Sequence, residues 1–508
     1  MIQKLLIANR GEIAVRIART CREMGVRTVG VFSEADRKAL HAEVVDEAYL
    51  IGPAPAAESY LRQDKLIEVA KISGADAVHP GYGFLSENAA FAQAVSNAGL
   101  IWVGPPAKAI AAMGSKTAAR DLMKSAGVPV VPGSAGAISS PEEAKRLAGK
   151  HGYPILLKAA AGGGGKGMRI VHAAKEIAAA FESAQREAQA AFGDASLYVE
   201  KYLERPRHIE LQIFADQHGN CIHFGERECS LQRRHQKIIE ESPSPVVSAE
   251  LRAKMGGVAV AAAKACGYVN AGTVEMLLDA SGSFYFLEMN TRLQVEHPVT
   301  EEVTGVDLVR WQLLIASGEP LPLPQDQVAP RGSAIEVRIY AEDVASGFLP
   351  STGVLKYWRP PIGPGLREDS GLRVGAKISR FYDPMISKLV ARGETREAAR
   401  QRMLRALEAY EITGLRTNVA FCRHILSSER FAQADFHTRS VDGEFMESYE
   451  RECNQPVEAE ELLAAALTHA VSVSRGLQAV NHHELMQRDG SIWKNKGRQF
   501  SLRGSETP

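Results

Sequence analysis

Short apolar runs alternate with amphipathic stretches over the first 115 residues. Leu5–Ala8, Arg27–Phe32, Ala77–His79 and Ile101–Val103 read as strands, and Glu12–Glu23, Asp64–Ile72 and Asn88–Ala98 as helices. Strands that alternate with helices predict a parallel sheet, and such sheets bind ligands beyond their strand carboxyl ends. Two loops fall there, Asn9-Arg10-Gly11 and His79-Pro-Gly-Tyr-Gly-Phe-Leu-Ser-Glu-Asn88. From 116 to about 330 the pattern is mixed. A helix is expected over Lys116–Ala126, and strands at Ile155–Ala159, Met168–Val171, Leu197–Lys201, Ile209–Ala215, Thr273–Leu278 and Phe284–Asn290. Residues 331–447 predict a further α+β unit, with a strand at Ala334–Tyr340 and a helix at Thr395–Ala409. Pro320, Pro322, Pro324 and Pro330 mark its entry, because proline resists regular structure. From Ser448 the chain is polar, apart from a helix near Glu460–Val473. The expected units are therefore 1–115, 116–330, 331–447 and a tail, 448–508.

Composition narrows the class without choosing a function. The chain has 508 residues, 45% hydrophobic and 24% charged, which is ordinary for a soluble globular protein of several domains. Lys plus Arg equals Asp plus Glu at 60 each, so no overall field recruits nucleic acid or an anionic membrane. Six cysteines (21, 221, 229, 266, 422 and 453) form no C-x-x-C pair, which argues against a zinc site or a redox pair. Cys221 and Cys229 are spaced to meet across a hairpin; with no secretory signal both are expected as reduced thiols. No apolar run reaches membrane-spanning length, since Val258–Ala263 ends at Lys264, and the expected location is the cytoplasm.

The densest chemistry lies at Glu288-Met-Asn-Thr-Arg-Leu-Gln-Val-Glu296. Alternation along Phe284–Asn290 puts Glu288 and Asn290 on one side, two oxygen ligands that suit a hard cation such as Mg²⁺. Arg292 is a fixed fork for an oxyanion, and Glu296 remains as a base. Gly282 turns the chain so that Glu275 comes beside Glu288, which adds a carboxylate for one or two ions. Metal, anion site and base together point to phosphoryl transfer on a small acid. The run Gly162-Gly-Gly-Gly165 lets backbone N–H groups approach phosphates; taken alone it is more often a flexible loop, but flanked by Lys158 and Lys166 it favours nucleotide phosphates. It is not a Walker loop, because Gly167 stands where Ser or Thr is needed. Glu200-Lys-Tyr-Leu203 is either a plain strand-to-turn junction or a hinge strand that reads an adenine edge, with Glu200 on the exocyclic amine. Gln232, His235 and Lys237 suit ribose and polyphosphate, unless the segment is a solvated charge run. Arg338 shares a strand face with Glu336, and an ion pair between them is the simplest expectation.

Six motifs together resemble the biotin carboxylase family, a branch of the ATP-grasp enzymes, over about residues 1–447. They are Ala8-Asn-Arg-Gly-Glu-Ile-Ala14, His79–Asn88, Lys158 with the glycine run, Glu200-Lys-Tyr-Leu203, Gln232-Arg-Arg-His-Gln-Lys237 and Glu288–Pro298. The resemblance implies a parallel-sheet N-terminal domain, a central ATP-grasp domain with a mobile glycine-rich lid at about 131–203, and a C-terminal α+β domain. It implies ATP contacts at Lys116, Lys158, Gly164, Gly165, Glu200, Lys201, Leu203, His208, Gln232, His235, Glu275 and Glu288. It implies Mg²⁺ or Mn²⁺ at Glu275, Glu288 and Asn290. Bicarbonate is implied at Lys237, Arg292 and the Val295 backbone, with Glu296 as base and Arg338 at the biotin ring oxygen. Two departures remove no ligand: Ala160-Ala161-Gly162 stands where many members have Ser-Gly-Gly, and Lys166 where some carry Arg. Arg338-Ile-Tyr-Ala-Glu342 with Phe348-Leu-Pro-Ser-Thr-Gly353 is more similar to acyl-CoA carboxylase α chains than to the shortest bacterial members. The Met-Lys-Met of the family's biotin carrier does not occur here. Biotin is thus expected on a separate carrier protein, with a carboxyltransferase as third partner, and the family implies a homodimer. The expected activity is the first half-reaction of an acetyl-CoA or other acyl-CoA carboxylase. A two-subunit pyruvate carboxylase, another ATP-grasp ligase and a non-catalytic subunit are the alternatives.

Overall fold

The computed structural model of the chain describes residues 1–134, 136–159, 168–192, 194–234 and 236–455, with six single positions beyond, and not the side chains of residues 116, 117, 191 and 192. Of the expected helix near Glu460–Val473 only Leu463, Ala466, Leu467, Ala470 and Val471 are described, all helical. No helix among the described residues is long and apolar enough to cross a membrane.

The N-terminal sheet is parallel throughout, as strand–helix alternation predicts. Its strands are β1 (Lys4–Ile7), β2 (Arg27–Ser33), β3 (Glu47–Gly52), β4 (Ala77–His79) and β5 (Ile101–Trp102), in the order β3-β2-β1-β4-β5. Strand order reverses between β1 and β4, so a crevice opens beyond their carboxyl ends. The two loops singled out from the sequence meet there: the Asn9 side chain donates to the carbonyls of Pro80 and Tyr82, at 2.6 and 2.7 Å. The one strand missed, β3, alternates weakly, and Leu50 on it is exposed.

A small antiparallel sheet, β7-β6-β8, follows, built from β6 (Ile155–Ala159), β7 (Arg169–Val171) and β8 (Leu197–Lys201). Helices Pro141–His151 and Ile177–Phe192 cover it and bury Ala144, Ala148, Phe181, Ala184 and Ala188 against Ile155, Leu157 and Val199. The sequence reading assigned neither helix; alanine supplies much of their buried face.

The centre is one antiparallel sheet of eight strands. Its members are β9 (Arg207–Ala215), β10 (Cys221–Arg233), β11 (Gln236–Ser242), β12 (Asn270–Leu278), β13 (Phe284–Asn290), β14 (Ser333–Tyr340), β15 (Leu366–Ser370) and β16 (Met385–Gly393), in the order β13-β12-β9-β10-β11-β14-β16-β15. The sheet crosses the expected division near 330, because β14 pairs with β11 in the register Ile239↔Val337 and Glu240↔Glu336. That pairing brings Arg338 to the residues of the Glu288–Glu296 segment. Cys221 and Cys229 do not meet across a hairpin: both lie on β10, and all six cysteines are free thiols.

The C-terminal strands close back on the first sheet. Gly371, just after β15, lies so near the helix Gly11–Glu23 that an added Cβ would meet the Gly11 carbonyl carbon at 2.4 Å and the Glu12 nitrogen at 2.5 Å. Both are backbone atoms and cannot rotate away. Gly371→Ala is therefore expected to destabilise the protein by about 1–3 kcal/mol, the usual cost of overpacking. A midpoint of thermal unfolding unchanged within error would show that the two segments separate freely.

Candidate active site

The site gathers where β9 to β14 converge on the loop 291–296. The β12–β13 hairpin sets Glu275 directly opposite Glu288, as the Gly282 turn predicts. The β10–β11 hairpin sets Gln232 opposite Lys237. Lys237 is the hub. Its ammonium lies 2.5 Å from Glu210 Oε2, 3.0 Å from Glu275 Oε1 and 2.5 Å from Glu296 Oε1. Burial opposes its charge, but three carboxylates outweigh burial and hold the pKa well above the ordinary lysine value. Burial likewise opposes ionisation of Glu296. Lys237 and Arg338 overcome it, so Glu296 stays well below the usual carboxylate range.

Arg338 donates from Nε to Glu240 Oε1 at 2.6 Å and from Nη2 to Glu296 Oε2 at 2.9 Å. The expected pair with Glu336 does not form. Two partners on other segments take the guanidinium, and both Glu336 oxygens are buried with no hydrogen-bond partner. Arg292 donates from Nε to Glu87 at 2.9 Å and from Nη1 to Gln294 Oε1 at 3.0 Å. The Val295 carbonyl accepts from Lys388 at 2.8 Å, which fixes the loop beside Glu296. His208 Nε2 lies 3.0 Å from Glu275 Oε2; burial disfavours its charge, Glu275 outweighs it, and the histidine pKa is raised. Gln232 packs beside it at 3.4 Å.

The donor set fits a hard divalent cation in part. Glu275 and Glu288 face one another across the hairpin, and carboxylate oxygens are what such a cation takes. Asn290, however, turns its amide nitrogen to Glu275 at 2.8 Å and its oxygen to Arg292 at 3.3 Å. To act as a ligand it has to present the oxygen instead.

A second group of expected residues lies at the base of the small sheet. Lys158 lies one residue before the end of β6, and its ammonium is 2.5 Å from Glu200 Oε1. Lys201 donates to the Tyr153 carbonyl at 2.9 Å, and Leu203 is half-buried. The Lys116 side chain, Gly164, Gly165 and His235 lie outside the described residues.

A cavity of about 550 Å³ opens beside Arg292, Val295 and Arg338, between the β1 and β4 loops and residues 371–385. Tyr82, Phe84 and Tyr382 contribute its aromatic wall. Functional candidates that sequence reasoning missed are Glu87, Glu210, Glu240 and Lys388. Each is a charge held by a distant partner.

The Glu336 carboxyl carries its own prediction. Burial raises its pKa well above the ordinary value; Lys388 and Arg338 oppose this, and Glu240, opposite on β11, and Glu296 reinforce it. The folded state thus holds a proton that an unfolded glutamate loses near ~4.3. Stability falls as pH rises above that value, by up to about 1.4 kcal/mol per unit until the folded pKa is passed. Glu336→Gln removes this penalty. Its melting point should exceed the parent's at pH 8, and the gap should close towards pH 5. A gap independent of pH would show that Glu336 is ionised in the fold.

The chain matches three family models: biotin carboxylase N-terminal domain over residues 1–110, carbamoyl-phosphate synthase L chain ATP-binding domain over 115–324, and biotin carboxylase C-terminal domain over 336–443. It is 54% identical over 441 residues to a biotin carboxylase of Halalkalibacterium halodurans, covering 87% of this chain and 97% of that one. It is 55% identical over 438 residues to the mitochondrial methylcrotonoyl-CoA carboxylase subunit alpha of Dictyostelium discoideum; the match covers 86% of this chain and 63% of that longer one. Among solved structures it superposes on the biotin carboxylase domain dimer of Hydrogenobacter thermophilus 2-oxoglutarate carboxylase, which holds MgADP, ADP and bicarbonate. There the TM-score is 0.80 at 46% identity, over 87% of this chain and 97% of that one.

Proposed function

The chain belongs to the biotin carboxylase family of ATP-dependent ligases, and on that premise we propose that it carboxylates N1′ of biotin borne on a separate carrier protein. The observation that carries this reading is Glu296, held between Lys237 and Arg338 beside the cavity that Arg292 and Val295 line.

In this reading Arg292 and the Val295 amide hold bicarbonate, and Glu296 takes its proton. Lys237 offsets negative charge on the phosphoryl group as carboxyphosphate forms from ATP. Lys158, Glu200, Lys201, Leu203, His208 and Gln232 hold the nucleotide, together with Lys116, Gly164, Gly165 and His235. Glu275 and Glu288 hold Mg²⁺ or Mn²⁺, with Asn290 once its amide turns, and the ion offsets phosphate charge when bound. Carboxyphosphate then splits into CO₂ and phosphate, the phosphate takes the N1′ proton of biotin, and Arg338 stabilises the oxygen of the resulting enolate, whose nitrogen captures the CO₂.

The partners proposed are a biotin carboxyl carrier protein, a carboxyltransferase and a second copy of this chain. An acyl-CoA acceptor is favoured by the segment Arg338–Gly353 and by the methylcrotonoyl-CoA carboxylase relative. The 2-oxoglutarate carboxylase neighbour supports a second reading, a 2-oxo acid acceptor such as pyruvate. The test is bicarbonate-dependent ADP release by the purified chain with Mg²⁺, with and without free biotin. Strong stimulation by biotin is expected. Turnover indifferent to biotin would assign the chain to another ATP-grasp reaction, and bound ATP without turnover would refute catalysis by the isolated chain. Acetyl-CoA, other acyl-CoA esters and pyruvate, offered to the assembled complex, then separate the acceptors.

A further inference from the structure

Arg120 belongs to none of the groups above, yet it touches both ends of the small-sheet module. It lies on the helix Lys116–Ser125. One arm of its guanidinium, Nη2, donates to the Val131 carbonyl at 2.7 Å, where the chain enters the module. The other, Nη1, donates to Glu200 Oε1, where the chain leaves it. The two connecting strands also pair with each other: Gly133 bridges Glu200, Ser134 N donates to Val199 O at 2.8 Å, and Lys201 N to Pro132 O at 2.7 Å. Residues just before them are tied to the central sheet, with Phe286 N donating to Pro129 O at 2.7 Å. One side chain thus spans a two-stranded hinge between the module and the body.

Glu200 Oε1 is shared by two cations, Arg120 and Lys158. They differ in kind. Arg120 is a planar fork fixed by two acceptors, whereas Lys158 is a point charge on a flexible stem. Only Lys158 is free to exchange its carboxylate for a phosphate. When it leaves, Glu200, whose side chain is 13% exposed, keeps a counter-ion only because Arg120 stays. Without Arg120 the glutamate would hold Lys158 back and compete with the phosphate for it.

We propose that Arg120 is a positioning residue for the nucleotide, which latches the hinge and holds Glu200 so that Lys158 is released to the phosphates. The inference rests on the reading of Lys158 and Glu200 as nucleotide ligands. It is tested with Arg120→Met and Arg120→Lys, by ADP binding in calorimetry and by steady-state KM and kcat for ATP. Arg120→Met is expected to weaken ADP binding and raise the KM for ATP tenfold or more, with kcat within threefold, and Arg120→Lys to recover most of the loss. In the pair Arg120→Met and Glu200→Gln, the double variant should lose less than the product of the two single losses. ADP binding and KM within twofold of the parent in a folded Arg120→Met would overturn the proposal. So would equal losses in kcat for both variants at unchanged KM, or fully multiplicative losses in the double variant. If Arg120→Met does not fold, Arg120→Gln, which keeps a donor but loses the charge, decides: a KM for ATP raised threefold or more supports the latch, and an unchanged KM refutes it. A parent chain that binds ADP but does not respond to biotin sinks the functional reading alone, since the binding measurement still tests Arg120. A parent that binds no ADP sinks both.

Discussion

Glu296→Gln should lower bicarbonate-dependent ADP release by about 10²–10⁴, the range usual for loss of a positioned proton acceptor, while ADP binding stays within a few-fold. The geometry explains why the loss is confined to chemistry. Glu296 spends one oxygen on Lys237 and the other on Arg338, but neither cation depends on it alone. Lys237 keeps Glu210 and Glu275, and Arg338 keeps Glu240. The amide therefore leaves no uncompensated buried cation, and the fold should survive. The same cations make Glu296 a weak base as it stands, because they hold it ionised well below the usual range. Its basicity has to rise when Arg338 or Lys237 turns to a substrate, which couples proton removal to occupancy of the site. Calorimetry with ADP and a turnover assay settle the point together. Turnover within tenfold of the parent would remove Glu296 from the role of base.

How far this site was legible depends on whether a partner is near in sequence. Glu275 facing Glu288 follows from one hairpin whose turn is marked by Gly282, and local pattern is enough for it. The Glu336–Arg338 pair illustrates the opposite case. Strand alternation correctly puts the two on one face, but the Arg338 guanidinium reaches diagonally to a carboxylate on the neighbouring strand, one that stands opposite Glu336. The neighbour of β14 is β11, about a hundred residues earlier in the chain, and it supplies Glu240. No sequence period encodes that register. Lys388 on Val295 and Glu87 on Arg292 escaped for the same reason. The parallel sheet and its two carboxyl-end loops were legible because strand–helix alternation is a local signal. The helices over the small sheet were not assigned, although each sets alanine and a few larger apolar residues against charged and amide positions.

Arg338→Gln is expected to separate the two halves of the reaction. Arg338 lines the cavity, and two carboxylates on one side of its guanidinium hold the fork in place before any substrate arrives. A donor fixed in that way loses little by reorganising when charge develops on a bound oxygen. Removing one such donor costs on the order of 10²–10³ in rate. Carboxylation of free biotin should fall by that factor, whereas ADP binding and any ADP release in the absence of biotin should stay within a few-fold. The contrast with Glu296→Gln is the informative part. The glutamate variant should lose ADP release with or without biotin, because bicarbonate is no longer deprotonated. The arginine variant should keep the biotin-independent turnover and lose only the transfer, so carboxybiotin formed per ADP released should drop steeply. Glutamine also leaves Glu240 without its cation beside Glu336, so thermal unfolding has to be measured alongside, and a folded variant is the condition for reading the ratio. Should carboxylation survive within a few-fold in that folded variant, Arg338 acts only as a tether for Glu296, and the enolate has to be held by another donor of the cavity.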